Sequence, residues 1–399
     1  MLRTDTAASE LHPNTHRSRG ESLDERLRVL GVDPELGFAG GESQVLALTL
    51  ALLRAGHQAE LACDPRGRLF ERARDAGVMC HPLSIRNAVD FPAAMRLRAL
   101  LSRARYDVVH FHTSRAHAMA PLVRGCARAM VVTRRMDYRP NRIFAPFLYN
   151  RAVDAVAAIS RPVADVLIES GVAREHVTII PSGVDCERFR PPTAAEREQA
   201  RDRLGIAAGE LAIGTVGMLE QRKGHRYLLD AIASTIRSRP SAPQPLCFIA
   251  GEGSLRDELQ RQAAELGISS RIRMLGMLAD SRALLDALDI FVFPSLKEGL
   301  GVALLEAMAC GLAVVASHAG GIAEVVEEGR SGILVPPGDC AALAAAIVKL
   351  ADDPNFRSAL GAAARERVER DFSTGAMARK TIELYRDCLS RRTVNGGRG

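Results

Sequence analysis

Short apolar runs bounded by turn residues alternate with stretches of helical periodicity through most of this 399-residue chain. Such alternation predicts parallel sheets with helices on both faces. In the first half the strand candidates are Leu27–Val32, Glu60–Cys63, Val108–Phe111, Met130–Thr133, Ala155–Ile159 and Val177–Ile180. A helix over about Glu42–Arg54 separates the first two. The segment Asp185–Arg197, with Pro191 and Pro192 near its centre, breaks the pattern as a linker would. A second series follows: Leu211–Val216, Leu246–Ala250, Arg271–Met274, Ile290–Phe293, Ala313–Ala316 and Gly332–Val335. The chain is also too long for one ordinary core. The reading is therefore α/β, with two doubly wound domains and a ligand cleft at the carboxyl ends of both sets of strands.

Composition narrows the class. With 47% hydrophobic and 25% charged residues the chain is globular, and no apolar run approaches the roughly 20 residues that span a bilayer. Residues 1–26 are polar without an apolar centre, which reads as a disordered tail and not a secretory signal. Eight scattered cysteines form no Cys-x-x-Cys, which speaks against structural zinc and disulfides and for a reducing cytoplasm. No Asp-x-Asp occurs, so no metal is expected. Residues 27–195 carry 23 Arg and no Lys against 16 Asp and Glu, net +7, while residues 196–399 balance 26 against 26. A basic first half fits an anionic partner, a phospholipid surface or a phosphorylated acceptor; an arginine-rich proteome, with 49 Arg to 4 Lys, would account for it equally. Nucleic acid is not expected, because the basic residues are not interleaved with an aromatic platform. One basic amphipathic stretch, Phe91–Arg105, fits either a packing helix with an arginine-lined outer face or contact with anionic lipid.

The chemistry concentrates in loops after strands. The buried run ending at Pro294 opens into a loop with Glu298, Gly299, Leu300 and Gly301, and a helix carrying Glu306 follows. Two acceptor-only carboxylates aimed at one crevice suit a ligand rich in hydroxyls, and free amides at a helix start suit phosphate. Taken alone, two glutamates eight residues apart are better explained by simple exposure. The strand ending at Gly217 delivers Arg222 and Lys223 ahead of a helix near Gly224, where cations would stabilise a diphosphate leaving group. In the first half, Gly37-Phe-Ala-Gly40-Gly41-Glu42-Ser43 leads into a helix, and its glycines let backbone amides approach an anion or an acceptor. It lacks the spacing of the dinucleotide fingerprint. His110 and His112 end a buried strand on one side of it, with no neighbouring residues to complete a metal site. Arg115 fits an anionic acceptor. Thr133-Arg134-Arg135-Met136-Asp137 is either an anion site or a solvated ion-pair cluster.

Together these segments resemble the retaining glycosyltransferases of family four, whose Glu-x7-Glu signature matches Glu298 and Glu306. The likeness covers nearly all of residues 27–390 and is more specific in the carboxyl half. It implies the GT-B fold, two Rossmann-like domains facing across a cleft. The expected divisions are an acceptor-side domain over 27–190, a nucleotide-sugar domain over 191–372, and a helix within 373–399 crossing back to the first domain. It implies that Glu306 holds ribose hydroxyls and Glu298 those of the sugar. Lys223, Arg222 and the amides around Leu300 would hold the diphosphate. The Gly251 loop would line the donor site, and the Gly276–Met277 loop would pack on the base. His112, Lys223 and Glu298 would form the reaction centre, with Gly40, Gly41, Arg115 and Arg134 on the acceptor side. The likeness also implies metal-independent transfer, with no cofactor, to a glycan or lipid-linked acceptor of the cell envelope, in the cytoplasm or peripherally at the membrane. Four departures stand out: Met218 replaces an Arg of the family, Ser182 an Asn, and Ser254 and Ala313 each a Pro. A nucleotide-sugar epimerase of the same fold, or a non-catalytic nucleotide-sugar binder, would use a similar cleft.

Overall fold

The computed structural model describes residues 26–396, with side chains through Arg391. The tail expected over 1–26 therefore lies outside the described residues, apart from Arg26.

Two wholly parallel sheets form the frame. The first holds β1 (Arg28–Asp33), β2 (Gln58–Cys63), β3 (Cys80–Pro82), β4 (Val108–Phe111), β5 (Ala129–Arg134), β6 (Ala155–Ala158) and β7 (Val177–Ile179) in the order β3-β2-β1-β4-β5-β6-β7. The second holds β8 (Ala212–Val216), β9 (Leu246–Ala250), β10 (Ile272–Gly276), β11 (Ile290–Phe293), β12 (Ala313–Ser317) and β13 (Ile333–Val335) in the order β10-β9-β8-β11-β12-β13. Strands covered on both faces read as near-continuous apolar runs, and all residues of β4, β5, β9, β11 and β12 are buried, with polar His110, Thr133, Arg134 and Ser317 towards the carboxyl ends of β4, β5 and β12. The edge strands β3, β7 and β10 are only partly covered.

β3 is the strand that sequence reasoning missed. It is three residues long, and its central His81 is held by Glu60 across 2.6 Å instead of by apolar packing. Pro82 is tolerated because the strand lies at an edge. The helix after β1 begins earlier than expected, at Gly40, where the Glu42 carboxylate reaches back to accept from the Ala39 amide at 2.7 Å.

Strand order reverses between β1 and β4 in the first sheet and between β8 and β11 in the second, so a crevice opens beyond the carboxyl end of each pair. The helix Phe91–Ala104 covers the first sheet with Ala93, Ala94, Leu97 and Leu101 and leaves Phe91, Met95 and its arginines outside. Among the described residues no helix is long and apolar enough to cross a membrane.

The chain passes between the domains twice, and the two passages are joined. Val184 donates to Phe372 O at 2.8 Å, and Thr374 returns a bond to Val184 O at 2.9 Å. From there the helix Thr374–Gly396 lies over the first sheet and packs against the helix Gly40–Arg54. Its Met377, Ile382 and Tyr385 complete a core with Val29, Leu48, Val108 and Val131. Buried Gln44 clamps the junction, donating to Gly183 O and accepting from Gly183 N, both at 2.8 Å. A Cβ at Gly183 would meet Thr374 Cα at 2.9 Å and Ser373 O at 3.0 Å. Gly183→Ala must therefore displace backbone at the junction, and we expect it to lower stability by about 1–3 kcal/mol in thermal or urea unfolding. An unchanged midpoint would show that the two passages are not tightly joined.

Candidate functional site

The second domain contributes the more completely organised half of the cleft. After β8 the chain forms a tight turn at Gln221–Lys223, fixed because the Leu296 amide donates to Arg222 O at 2.8 Å. This bond lays the turn against the loop that follows β11, and Lys223 Nζ reaches Glu298 Oε2 at 2.5 Å. Both side chains are largely shielded, at 12% and 13% exposure, so the contact is strong and isolated from bulk water. The ammonium also lies 5.3 Å from the centre of the Phe293 ring. Arg222 points elsewhere, pairing with Glu220 at 2.9 Å on the surface.

Glu298 is followed by Gly299, Leu300 and Gly301, which lead into the helix Val302–Ala309. The Leu300 side chain is buried beneath the loop. None of the three amides donates in the hydrogen bonds of the fold among the described residues. They are free donors beside a lysine. Glu306, one helical turn further on, is half-buried and accepts from Ser281 Oγ at 2.8 Å. Burial pushes its carboxyl up to about 7, partly opposed by the Ser281 bond. Ser281 was not singled out from the sequence, because nothing local links it to a residue 25 positions away. On the other flank Gly251 donates to Gly276 O at 2.7 Å, which joins the ends of β9 and β10, and Met277 beside them is exposed.

The first domain supplies a buried polar cluster at the ends of β1, β4 and β5. His110 shares bonds of 2.6 Å with both Tyr385 OH and Thr133 Oγ1. The His112 ring lies 4.1 Å from it, and His112 Nδ1 is buried without a partner. His117 contacts Thr133 O at 3.1 Å and Tyr149 OH at 3.2 Å. Burial holds His110 and His112 well below the usual imidazole range and His117 at about 3, so all three are neutral at pH 7. Asp33, at the end of β1, is raised to about 7, also chiefly by burial. Its position beside the glycine loop was not recognised from the sequence.

The two arginines expected on the acceptor side are both engaged. Arg115 pairs with Glu35 and donates to Ile85 O at 3.4 Å. Arg134 donates to Tyr138 O at 2.8 Å and lies over the Tyr138 ring. Arg135, beside them, makes no ion pair or hydrogen bond among the described residues, and its Nε is buried. Gly40 and Gly41 lie between the halves: a Cβ on Gly40 would sit 3.7 Å from Val302, and one on Gly41 4.0 Å from Arg135 Cδ. Across the cleft the Arg161 amide donates to Glu324 Oε1 at 2.7 Å, and Lys297 lies 3.5 Å from Asp137. Among the described residues no group of three or more His, Cys, Asp or Glu is placed to hold a metal.

Chemically, one half offers an ammonium, free amides and two carboxylates, which matches a diphosphate attached to hydroxylated groups. The other offers neutral imidazoles and a guanidinium.

Comparison with known proteins gives two family-model matches: Glycosyltransferase Family 4 over residues 38–188 and Glycosyl transferases group 1 over residues 196–367. The chain is 35% identical over 230 residues to the D-inositol 3-phosphate glycosyltransferase of Corynebacterium urealyticum, covering 56% of this chain and 54% of that protein. It is 29% identical to the alpha-maltose-1-phosphate synthase of Mycolicibacterium smegmatis, covering 81% of this chain and 91% of that protein. The chain thus spans about half the length of the curated relatives it matches first. The crystal structure of Anabaena HepE in complex with UDP superposes with a TM-score of 0.80 at 23% identity, covering 90% of this chain and 100% of that one, a likeness of fold.

The raised carboxyl of Glu306 has a measurable consequence. A folded value of about 7 against an ordinary 4.5 means that the fold favours the protonated form. Its contribution to stability is complete below pH 4.5 and is lost as pH rises through 7. Glu306→Gln stays neutral and keeps a partner for Ser281. The variant should exceed the wild type in stability at pH 8 by up to roughly 3 kcal/mol, with the gap closing below pH 5. Melting curves at both pH values test this, and a variant no more stable at pH 8 would contradict it.

Proposed function

We propose a function from the premise that this chain belongs to glycosyltransferase family four. It transfers a sugar from a nucleotide-sugar donor to a lipid or polysaccharide acceptor of the cell envelope, with retention at the sugar and without a metal. The observation that carries this reading is the shielded Lys223–Glu298 contact beside the free amides of Gly299, Leu300 and Gly301.

Lys223 and Glu298 neutralise each other where they meet. A diphosphate entering beside the amides competes for Lys223, and the released Glu298 carboxylate becomes an acceptor for sugar hydroxyls. As the bond to the sugar breaks, negative charge grows on the leaving diphosphate. Lys223 and the helix-start amides meet that charge in a shielded site, where they act more strongly than in water. A metal would duplicate this role. Glu306 accepts from the ribose, Gly251, Gly276 and Met277 flank the nucleotide, and exposed Arg222 is free to turn towards phosphate. His112 supplies a neutral ring nitrogen at the reaction centre from the opposite domain. UDP in the HepE structure supports a nucleoside diphosphate as the leaving group.

On the acceptor side, Gly40 and Gly41 leave room for backbone approach. The Corynebacterium relative is named for an acceptor that bears phosphate, which supports an anionic one here. Exposed Ile143, Phe144 and Phe147, close in sequence to Arg139 and Arg142, fit a protein that works in the cytoplasm against an anionic membrane face.

Thermal unfolding against UDP, GDP, ADP, CMP and TDP, with and without EDTA, tests the donor half. A ligand at 100 times its dissociation constant adds about 2.7 kcal/mol, and we expect one nucleotide to do so regardless of EDTA. Lys223→Ala and Glu298→Ala should each lower turnover of the matching nucleotide-sugar by about 10²–10³-fold per folded molecule. No response to any nucleotide, or near-normal turnover in either variant, would overturn the assignment.

A further inference from the structure

Arg135 is a cation without a counterpart. It follows β5 directly, and its backbone carbonyl faces the donor loop: a Cβ on Gly299 would lie 2.7 Å from Arg135 O. Its neighbours Arg134 and Asp137 are both engaged, yet the Arg135 guanidinium pairs with nothing among the described residues, and its Nε is shut away from solvent. Asp33 and Glu42 attract it without an ion pair forming, and His110, His112 and His117 nearby stay neutral. Burial brings its pKa down to about 10, so it is still charged at pH 7.

A shielded charge with no partner is costly, and a fold that gained nothing from it would be more stable with an apolar side chain of similar size. This one lies where the glycine loop, the imidazole cluster and the loop after Glu298 converge.

We propose that Arg135 is the anion-reading residue of the cleft and that it binds a phosphate group of the substrate pair. The inference rests on the reading that the cleft is a transferase site. The phosphate comes either from the donor or from the acceptor. In either case the guanidinium donates two parallel hydrogen bonds that its present surroundings do not satisfy.

The variants Arg135→Met and Arg135→Lys, made in the intact chain, test this with inorganic phosphate, inorganic pyrophosphate and UDP or GDP as probes. In plain buffer Arg135→Met should melt at or above the wild type, because an uncompensated charge is gone. Its dissociation constant for one phosphate probe should rise about ten- to a hundredfold, with Arg135→Lys intermediate. Weakened nucleoside diphosphate binding assigns the group to the donor. If nucleotide binding is unchanged but inorganic phosphate, added at saturating nucleotide, stabilises only the wild type, the group belongs to the acceptor. A less stable Arg135→Met with unchanged response to every probe would make Arg135 structural and overturn the proposal. Lys223→Ala separates this from failure of the donor reading. If no nucleotide shifts the wild type, the phosphate response of Lys223→Ala against the double variant with Arg135→Met still decides the role of Arg135.

Discussion

Parallel pairing governs the architecture. Neighbouring strands that run the same way must be joined by a crossover, and the crossovers must cover both faces of the sheet. Once each sheet is laid outward from β1 or β8 and then continued on the opposite side, its order reverses at one place only. The loops there diverge and leave their backbone groups unpaired. Asp33 and His112 lie at one reversal, and Lys223 and Glu298 at the other. The site is therefore where the sheets cannot close over themselves, and the two domains bring those gaps together.

The halves handle charge differently. The second domain holds a cation and an anion as a mutually satisfied pair. The first keeps its imidazoles uncharged through burial and satisfies most of their nitrogens with Tyr385, Thr133 and Tyr149. Neutral rings with fixed partners give a rigid polar floor whose protonation does not change near pH 7.

Most of the framework was legible in the sequence because a strand buried on both faces carries a continuous apolar run, as in Val108–Val109 of β4, Ala129–Val132 of β5 and Ala313–Ala316 of β12, with polar residues only towards the carboxyl ends. β3 was not, because an edge strand is held by its neighbour and by His81–Glu60, with no apolar pattern to betray it. In the site, Lys223, Glu298 and Glu306 could be singled out because strand, glycine loop and helix follow one another locally. Ser281 beneath Glu306 and Tyr385 behind His110 left no such trace, since their roles exist only through contacts across 25 and 275 residues. The arginines show the limit most plainly. Sequence places Arg134 and Arg135 side by side, and only strand alternation and packing decide which one is tied to Tyr138 and which is left without a partner.

The helix beginning at Thr374 also bears on how the protein is made. It supplies Met377, Ala378, Ile382, Leu384, Tyr385 and Cys388 to a core whose remaining buried members lie between Leu27 and Ile180. During synthesis the first domain emerges early, yet one face of its sheet stays uncovered until the ribosome has delivered the whole second domain and returned to the first. The domain that starts first is finished last. Its apolar face must be kept from other chains through most of translation, and the last crossing of the junction is the event that seals it.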